Sequence, residues 1–137
     1  MQWEDIMLLS DAGVDVVRAA YHAFARRDIQ AIVDLLSDDV DWRFTGPKRL
    51  AYTGRFKKPQ VAQWFADVAA ADDVQAFEPR EFIPGGAHVT VLGWERCAAI
   101  PSGKVFESEW VHVFTVQHGK ITRFWGIYDT EASAAAR

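Results

Sequence analysis

The chain predicts an α+β domain in which three amino-terminal helices pack on an antiparallel sheet and enclose an aromatic pocket. Three observations carry this prediction. Apolar residues recur at helical spacing in the first half of the chain and at alternate positions from Phe77 onward. The order is helices first and a meander of strands afterwards, which means α+β and not alternating α/β. Six Trp, nine Phe and three Tyr in 137 residues form a heavy aromatic load. Part of it is core, and the surplus suits a pocket or a subunit interface.

Taken in order, Asp11 to Arg27 reads as an amphipathic helix, with Val14, Val17, Ala20, Tyr21 and Phe24 on one side and Asp11 as its cap. Asp28 caps a second, short helix carrying Ile29, Ile32, Val33, Leu35 and Leu36. Val40 to Thr45 alternates as a half-buried strand, with Val40, Trp42 and Phe44 against Asp41, Arg43 and Thr45. Gly46-Pro47 ends it and a polar loop follows. Pro59 to Ala71 is a third helix, with Pro59 in its first turn and Val61, Trp64, Phe65 and Val68 on one face. The strands expected next are Glu81–Pro84, Ala87–Ile100, Lys104–His118 and Lys120–Tyr128. Turn signals at Gly85-Gly86, Ser102-Gly103 and His118-Gly119 separate them. The Ala-rich tail from Glu131 to Arg137 is expected to fray. A chain of 137 residues without internal repeats is one domain, spanning 1–137.

Composition excludes several functions. The net charge is −4 with acids and bases interleaved, so no basic field exists to bind nucleic acid. The local cluster Lys48, Arg49, Arg55, Lys57 and Lys58 reads as a solvated loop. No apolar run approaches the roughly 20 residues that span a bilayer. Cys97 stands alone, which precludes an intrachain disulfide and favours a reducing compartment. Met1 to Asp5 is acidic and unlike a signal peptide, so the cytoplasm is expected. No metal-ligand spacing, Walker loop, dinucleotide fingerprint or nucleophile elbow occurs, and neither metal nor cofactor is expected.

The hairpin around Ser102-Gly103 carries the site. A two-residue turn pairs Ile100 with Val105, Arg96 with Glu109 and Trp94 with Val111. It places Phe106, Ser108, Trp110, His112 and Phe114 on the inward face. Two ionisable residues share that face, His112 and, diagonally across the ladder, Glu95, with Gly93 opposite His112. A carboxylate buried there needs a partner or a proton, and His112 is the nearest partner. A His–carboxylate pair in an apolar pocket is how acid–base groups are tuned toward neutral pH. On the last strand, a two-residue turn at His118-Gly119 puts Arg123, Trp125 and Asp129 inward. A three-residue turn with Gly119 left-handed puts Phe124, Gly126 and Tyr128 inward.

A set of short motifs spans nearly the whole chain. It comprises Tyr21 to Ala23, Arg27-Asp28-Ile29-Gln30-Ala31-Ile32-Val33, Ser37-Asp38-Asp39-Val40, Thr53-Gly54-Arg55, Trp110-Val111-His112-Val113-Phe114, His118-Gly119-Lys120-Ile121 and Tyr128-Asp129. In order and spacing it resembles the SnoaL-like and ketosteroid isomerase-related members of the nuclear transport factor 2-like superfamily. The resemblance implies a strongly curved sheet, the cystatin-like cone, around a pocket. It also favours the inward set Phe124, Gly126 and Tyr128. Ketosteroid isomerases place an Asp base where Phe44 stands and an oxyanion Asp where His112 stands, with a Tyr near Tyr21. SnoaL-like cyclases resemble this chain in the His at 112, and carry an Asp after a last-strand Trp, where Trp125 is followed by Gly126. Dimers through the outer sheet face are common in such proteins, and Trp94, Val111, Val113 and Trp125 would form that patch.

The expectation is therefore an acid–base isomerase, cyclase or hydratase acting on a small apolar or aromatic molecule. His112 would transfer the proton and Glu95 would orient it. Trp42, Phe44, Trp64, Phe65, Trp110, Phe114, Phe124 and Tyr128 would wall the cavity. The alternative is a non-catalytic ligand-binding or dimerisation module. Glu95 discriminates the two: a carboxylate in the cavity near His112 favours the enzyme, one in solvent the module.

Overall fold

The computed structural model describes the backbone of residues 3–137 and side chains from residue 12. The elements in chain order are α1 (Trp3–Ala25), α2 (Ile29–Asp34), β1 (Leu36–Phe44), β2 (Gly54–Phe56), α3 (Lys58–Ala71), β3 (Asp72–Gly85), β4 (His88–Ala99), β5 (Val105–Gln117), β6 (Lys120–Tyr128) and α4 (Thr130–Ala135). They form one six-stranded sheet of order β2-β1-β6-β5-β4-β3, with α1 and α3 packed on it and α2 packed against those two helices. The sheet is mixed and not wholly antiparallel, because β1 lies parallel to β6. A parallel pair needs a long crossover, and everything from β2 to β5 supplies it.

Local chemistry explains most of the boundaries. The Asp28 carboxylate accepts from the backbone N–H of Ala31 at 3.1 Å and starts α2. Pro59 sits in the first turn of α3, where its missing N–H costs nothing. The first helix begins earlier than expected, so Asp11 lies inside α1 and is not its cap; its side chain is outside the described residues. The polar loop after Gly46 contains the short edge strand β2.

Strand β3 is far longer than the four residues expected. Charged residues and two prolines obscure its alternation, and it tolerates them as an edge strand. Two bulges, at Gln75 and Arg80, change its register against β4. Each adds a residue on one strand only, which bends and twists the sheet around the helices.

The hairpin register also differs from expectation. A loop of four residues, Ile100 to Gly103, closes it, with the Ala99 N–H bonded to the Lys104 carbonyl at 2.9 Å. Ala98 therefore pairs with Val105, and Arg96 with Glu107 in place of Glu109. The Arg96 guanidinium meets the Glu107 carboxylate at 2.8 Å. A shift of two residues preserves which face each side chain occupies. Phe106, Ser108, Trp110, His112 and Phe114 are accordingly all buried on the concave side.

The last hairpin reaches the expected facing by another route. Its turn has two residues, with His118 at φ 54° and Gly119 at φ 74°. On its own that turn would face Arg123 and Trp125 inward. A bulge at Thr122 inserts one residue and reverses the parity, so Phe124 pairs with Phe114, Gly126 with His112 and Tyr128 with Trp110.

The tail does not fray. Asp129 caps α4 by accepting from Ala132 at 3.0 Å. Ser133 is fully buried, and Arg137 meets the Asp72 carboxylate at 2.7 Å. No helix among the described residues is long and apolar enough to cross a membrane. Trp94, Val111, Val113 and Trp125 lie half-buried on the convex face. Arg43 and Arg123 stack over Trp125, and Arg80 and Arg96 over Trp94.

Candidate functional site

The concave face and the helices enclose a cavity of about 100 Å³. Every residue expected to form a site contributes to its wall: His112, Glu95, Trp42, Phe44, Trp64, Phe65, Trp110, Phe114, Phe124 and Tyr128. β1, β5 and β6 supply most of them from alternate positions, and α3 supplies Trp64 and Phe65. The rings pack against one another: Trp42 stacks on Phe124 at a centroid distance of 4.2 Å, and Phe77 on Trp110 at 4.9 Å. An apolar cavity of about 150 Å³ holds benzene, so this smaller one admits a single ring only if its aromatic walls give way.

The cavity has two polar ends. At one, the Tyr21 hydroxyl and the His112 Nδ1 share a hydrogen bond of 2.8 Å. Burial pushes the His112 imidazole down to about 3, so it is neutral at physiological pH. A neutral imidazole that accepts at Nδ1 carries its proton on Nε2. Gly126 lies opposite His112, and a Cβ there would meet the Phe44 ring at 2.7 Å. The last-strand carboxylate of the cyclases therefore has no room in this chain.

Glu95 marks the other end. It is largely buried, and its partner is the Cys97 thiol, which donates at 3.5 Å. Burial pushes its carboxyl up to about 7; the thiol contact opposes the shift and the nearby Asp72 charge adds to it. The expected direct His112–Glu95 pair does not form. Glu95 stands opposite Ser108, four residues from His112 along β5, or about 13 Å of strand. Trp110 occupies the place between, with its ring stacked on the imidazole at 4.0 Å. The two-residue register shift is the cause: it replaces Trp110 by Ser108 opposite Glu95, and His112 by Trp110 opposite Gly93.

Sequence reasoning missed a polar cluster beside Glu95. Asp72 is buried at the start of β3 and ion-paired with Arg137. Arg137 also donates to the Tyr52 hydroxyl at 3.1 Å and to the Ser133 hydroxyl at 2.7 Å. Tyr52 is bonded in turn to Ser133 at 2.7 Å and to Tyr128. Tyr52 sits in an irregular loop and the others are distant in sequence, so no periodicity points to them. Phe77 would have been legible had β3 been read at its full length. Among the described residues no group of His, Cys, Asp or Glu is placed to hold a metal ion.

Beside the cavity, a cleft of about 780 Å³ lies between α3, the end of α1 and β3. Tyr21, Phe24, Phe65, Val68, Asp72, Val74 and Phe77 line both the cleft and the cavity. These side chains form the partition between the inner space and the outside.

Comparison with known proteins agrees with this geometry. The SnoaL-like domain model matches residues 17–124. The uncharacterized protein Rv0034 of Mycobacterium tuberculosis is 30% identical over 127 residues, which cover 92% of this chain and 95% of that one. Among solved structures, an NTF2-like protein from Burkholderia xenovorans superposes with a TM-score of 0.83 at 24% identity, covering 93% of this chain and 96% of its own. TerC, crystallized with polyporic acid, superposes with a TM-score of 0.82 at 27% identity, covering 91% and 97%.

Proposed function

We propose, starting from the fact that this chain belongs to the SnoaL-like family, that it binds a compact, largely apolar ligand and moves a proton on it through Glu95. The observation that carries this reading is the isolation of the Glu95 carboxyl. It faces the cavity with a thiol as its partner, and its proton affinity sits near neutral pH. A general acid–base group works best when its pKa lies near the working pH. The roles expected from sequence are thereby exchanged: Glu95 shuttles the proton, while neutral His112, fixed by Tyr21, anchors a polar atom of the ligand. The indole N–H groups of Trp42 and Trp110 are buried without hydrogen-bond partners among the described residues. Unpaired buried donors call for an explanation, and a ligand oxygen supplies one. That TerC, which this chain resembles in structure, was crystallized with polyporic acid supports a small-molecule ligand here as well. Isomerisation, cyclisation and hydration are the reactions that such a proton shuttle serves.

A non-catalytic binding module is the second reading. The modest cavity and the separation of Glu95 from His112 favour it. Deuterium exchange beside the carbonyl of cyclohexanone in D₂O distinguishes the two. Faster exchange with wild-type protein, lost in Glu95→Gln, is the expected result. Cyclohexanone that binds but exchanges no faster than in buffer leaves only the module.

A further inference from the structure

The inner cavity cannot take a ring while its walls stand as they are. At about 100 Å³ it falls short of the roughly 150 Å³ that holds benzene. The cleft beside it, at about 780 Å³, lies within the range of about 300–1,000 Å³ usual for small-molecule sites. The two spaces share part of their walls, and the shared rings differ in how firmly they are held. Phe65 packs on Trp64 at a centroid distance of 4.8 Å and on Trp42 at 5.6 Å. Phe77 stacks on Trp110, and Tyr21 is hydrogen-bonded to His112. Those partners line the cavity and not the cleft. Phe24 is held differently. Among the described residues its ring contacts are Phe65 at 6.0 Å and Phe77 at 5.0 Å, and both belong to the partition itself. A rotation of Phe24 about its side-chain bonds, out toward the cleft, removes one ring from the cavity wall and joins the two spaces.

The cleft itself is apolar and lined by short side chains. Ala62, Ala66 and Ala69 line it from α3 at intervals of four and three residues, so they share one face over about 10 Å of helix. Val74, Ala76 and Pro79 line it from β3. Ile100, a large apolar residue left 45% exposed, lines it as well. Of its charges, Asp72 is ion-paired with Arg137, and the exposed Arg27 and Asp73 are opposite in sign. No net field there selects an ion. A run of alanines presents a smooth wall against which a straight methylene chain lies flat, and each methylene taken out of water raises affinity by up to about fourfold.

We propose that cavity and cleft are the two halves of one binding site, divided by the Phe24 ring, and that its ligand is a ring carrying an unbranched, uncharged apolar chain. The ring enters the cavity past Phe24, and the chain lies in the cleft along the alanine face of α3. Phe24 thereby gates entry, and the alanines set the shape of the chain that is accepted. This adds a chain to the compact ligand proposed above; it rests on the cavity taking a ring and not on Glu95 moving a proton.

Benzene and hexylbenzene, titrated into wild type, Ala66→Trp and Phe24→Ala, test it. Hexylbenzene should bind wild type about a hundredfold more tightly than benzene. In Ala66→Trp an indole fills the cleft, and that ratio should fall below about tenfold. Phe24→Ala should admit hexylbenzene about tenfold faster, read by stopped-flow tryptophan fluorescence. Ala66 is exposed, so its variant decides the matter should Phe24→Ala unfold. The same ratio in Ala66→Trp as in wild type would put the chain outside the cleft and overturn the inference. Wild type that binds benzene and hexylbenzene equally overturns it too, and either result leaves the ring cavity standing. An unchanged entry rate in folded Phe24→Ala overturns the gate. Wild type that binds neither probe overturns the ligand cavity as well.

Discussion

The indole of Trp110 lies flat over Gly93, its partner across the β4–β5 ladder: a Cβ added at Gly93 would stand 2.2 Å from the six-membered ring. The glycine makes room for Trp110, and its predicted partner His112 lies two residues further along β5. Trp110 in turn lies against the imidazole and separates the two polar ends of the cavity. Gly93→Ala should therefore cost about 2–3 kcal/mol, as overpacking of a filled core does. Urea denaturation measures the loss, and a neutral result would mean that the ring swings freely.

His112 and Glu95 should give stability opposite pH dependences. The folded His112 titrates near 3, below its unfolded value, so its unfolded form binds more protons between pH 6.5 and 3. Its contribution is full above pH 6.5 and declines as the pH falls through that window. His112→Gln should flatten the acid limb of a stability profile.

Glu95 behaves in the reverse sense. Its folded pKa of about 7 lies above the unfolded one, so its contribution is full below pH 4.5 and is lost as the pH rises through 7. Glu95→Gln should thus stabilise the protein by about 1–2 kcal/mol at pH 8 and have little effect at pH 4. Chemical denaturation at the two pH values checks it. Equal effects at both would show that the carboxyl is solvated.

Arg137→Ala should destabilise by about 3 kcal/mol, because it leaves Asp72 as a buried carboxylate without its cation. Adding Asp72→Asn should recover much of the loss. Thermal unfolding of the single and double variants reads the coupling, and simple additivity would contradict it.

For the convex face we propose a second copy of the chain as occupant, seated on Trp94, Val111, Val113 and Trp125. Sedimentation should show a dimer in wild type and a monomer in Trp125→Glu. A wild-type monomer at all concentrations would leave the patch to its stacked arginines.

Much of this protein was legible in its sequence because side-chain alternation survives errors of pairing. The inward set on β5 follows from period two alone. A register wrong by two residues left Glu95 and His112 on the correct face, but made neighbours of residues that Trp110 keeps apart. On β6 a bulge did what a longer turn had been expected to do, and no residue of that strand announces it.

The helix spacing, the caps at Asp28 and Pro59 and the apolar alternation are local, and one chain segment suffices to determine them. The partner of Glu95, the hydrogen bonds that join Ser133, Tyr52 and Tyr128, and the docking of Arg137 on Asp72 were decided by tertiary structure alone. Each depends on which distant backbones meet, and three bulges and one loop length control that meeting without leaving a periodic trace.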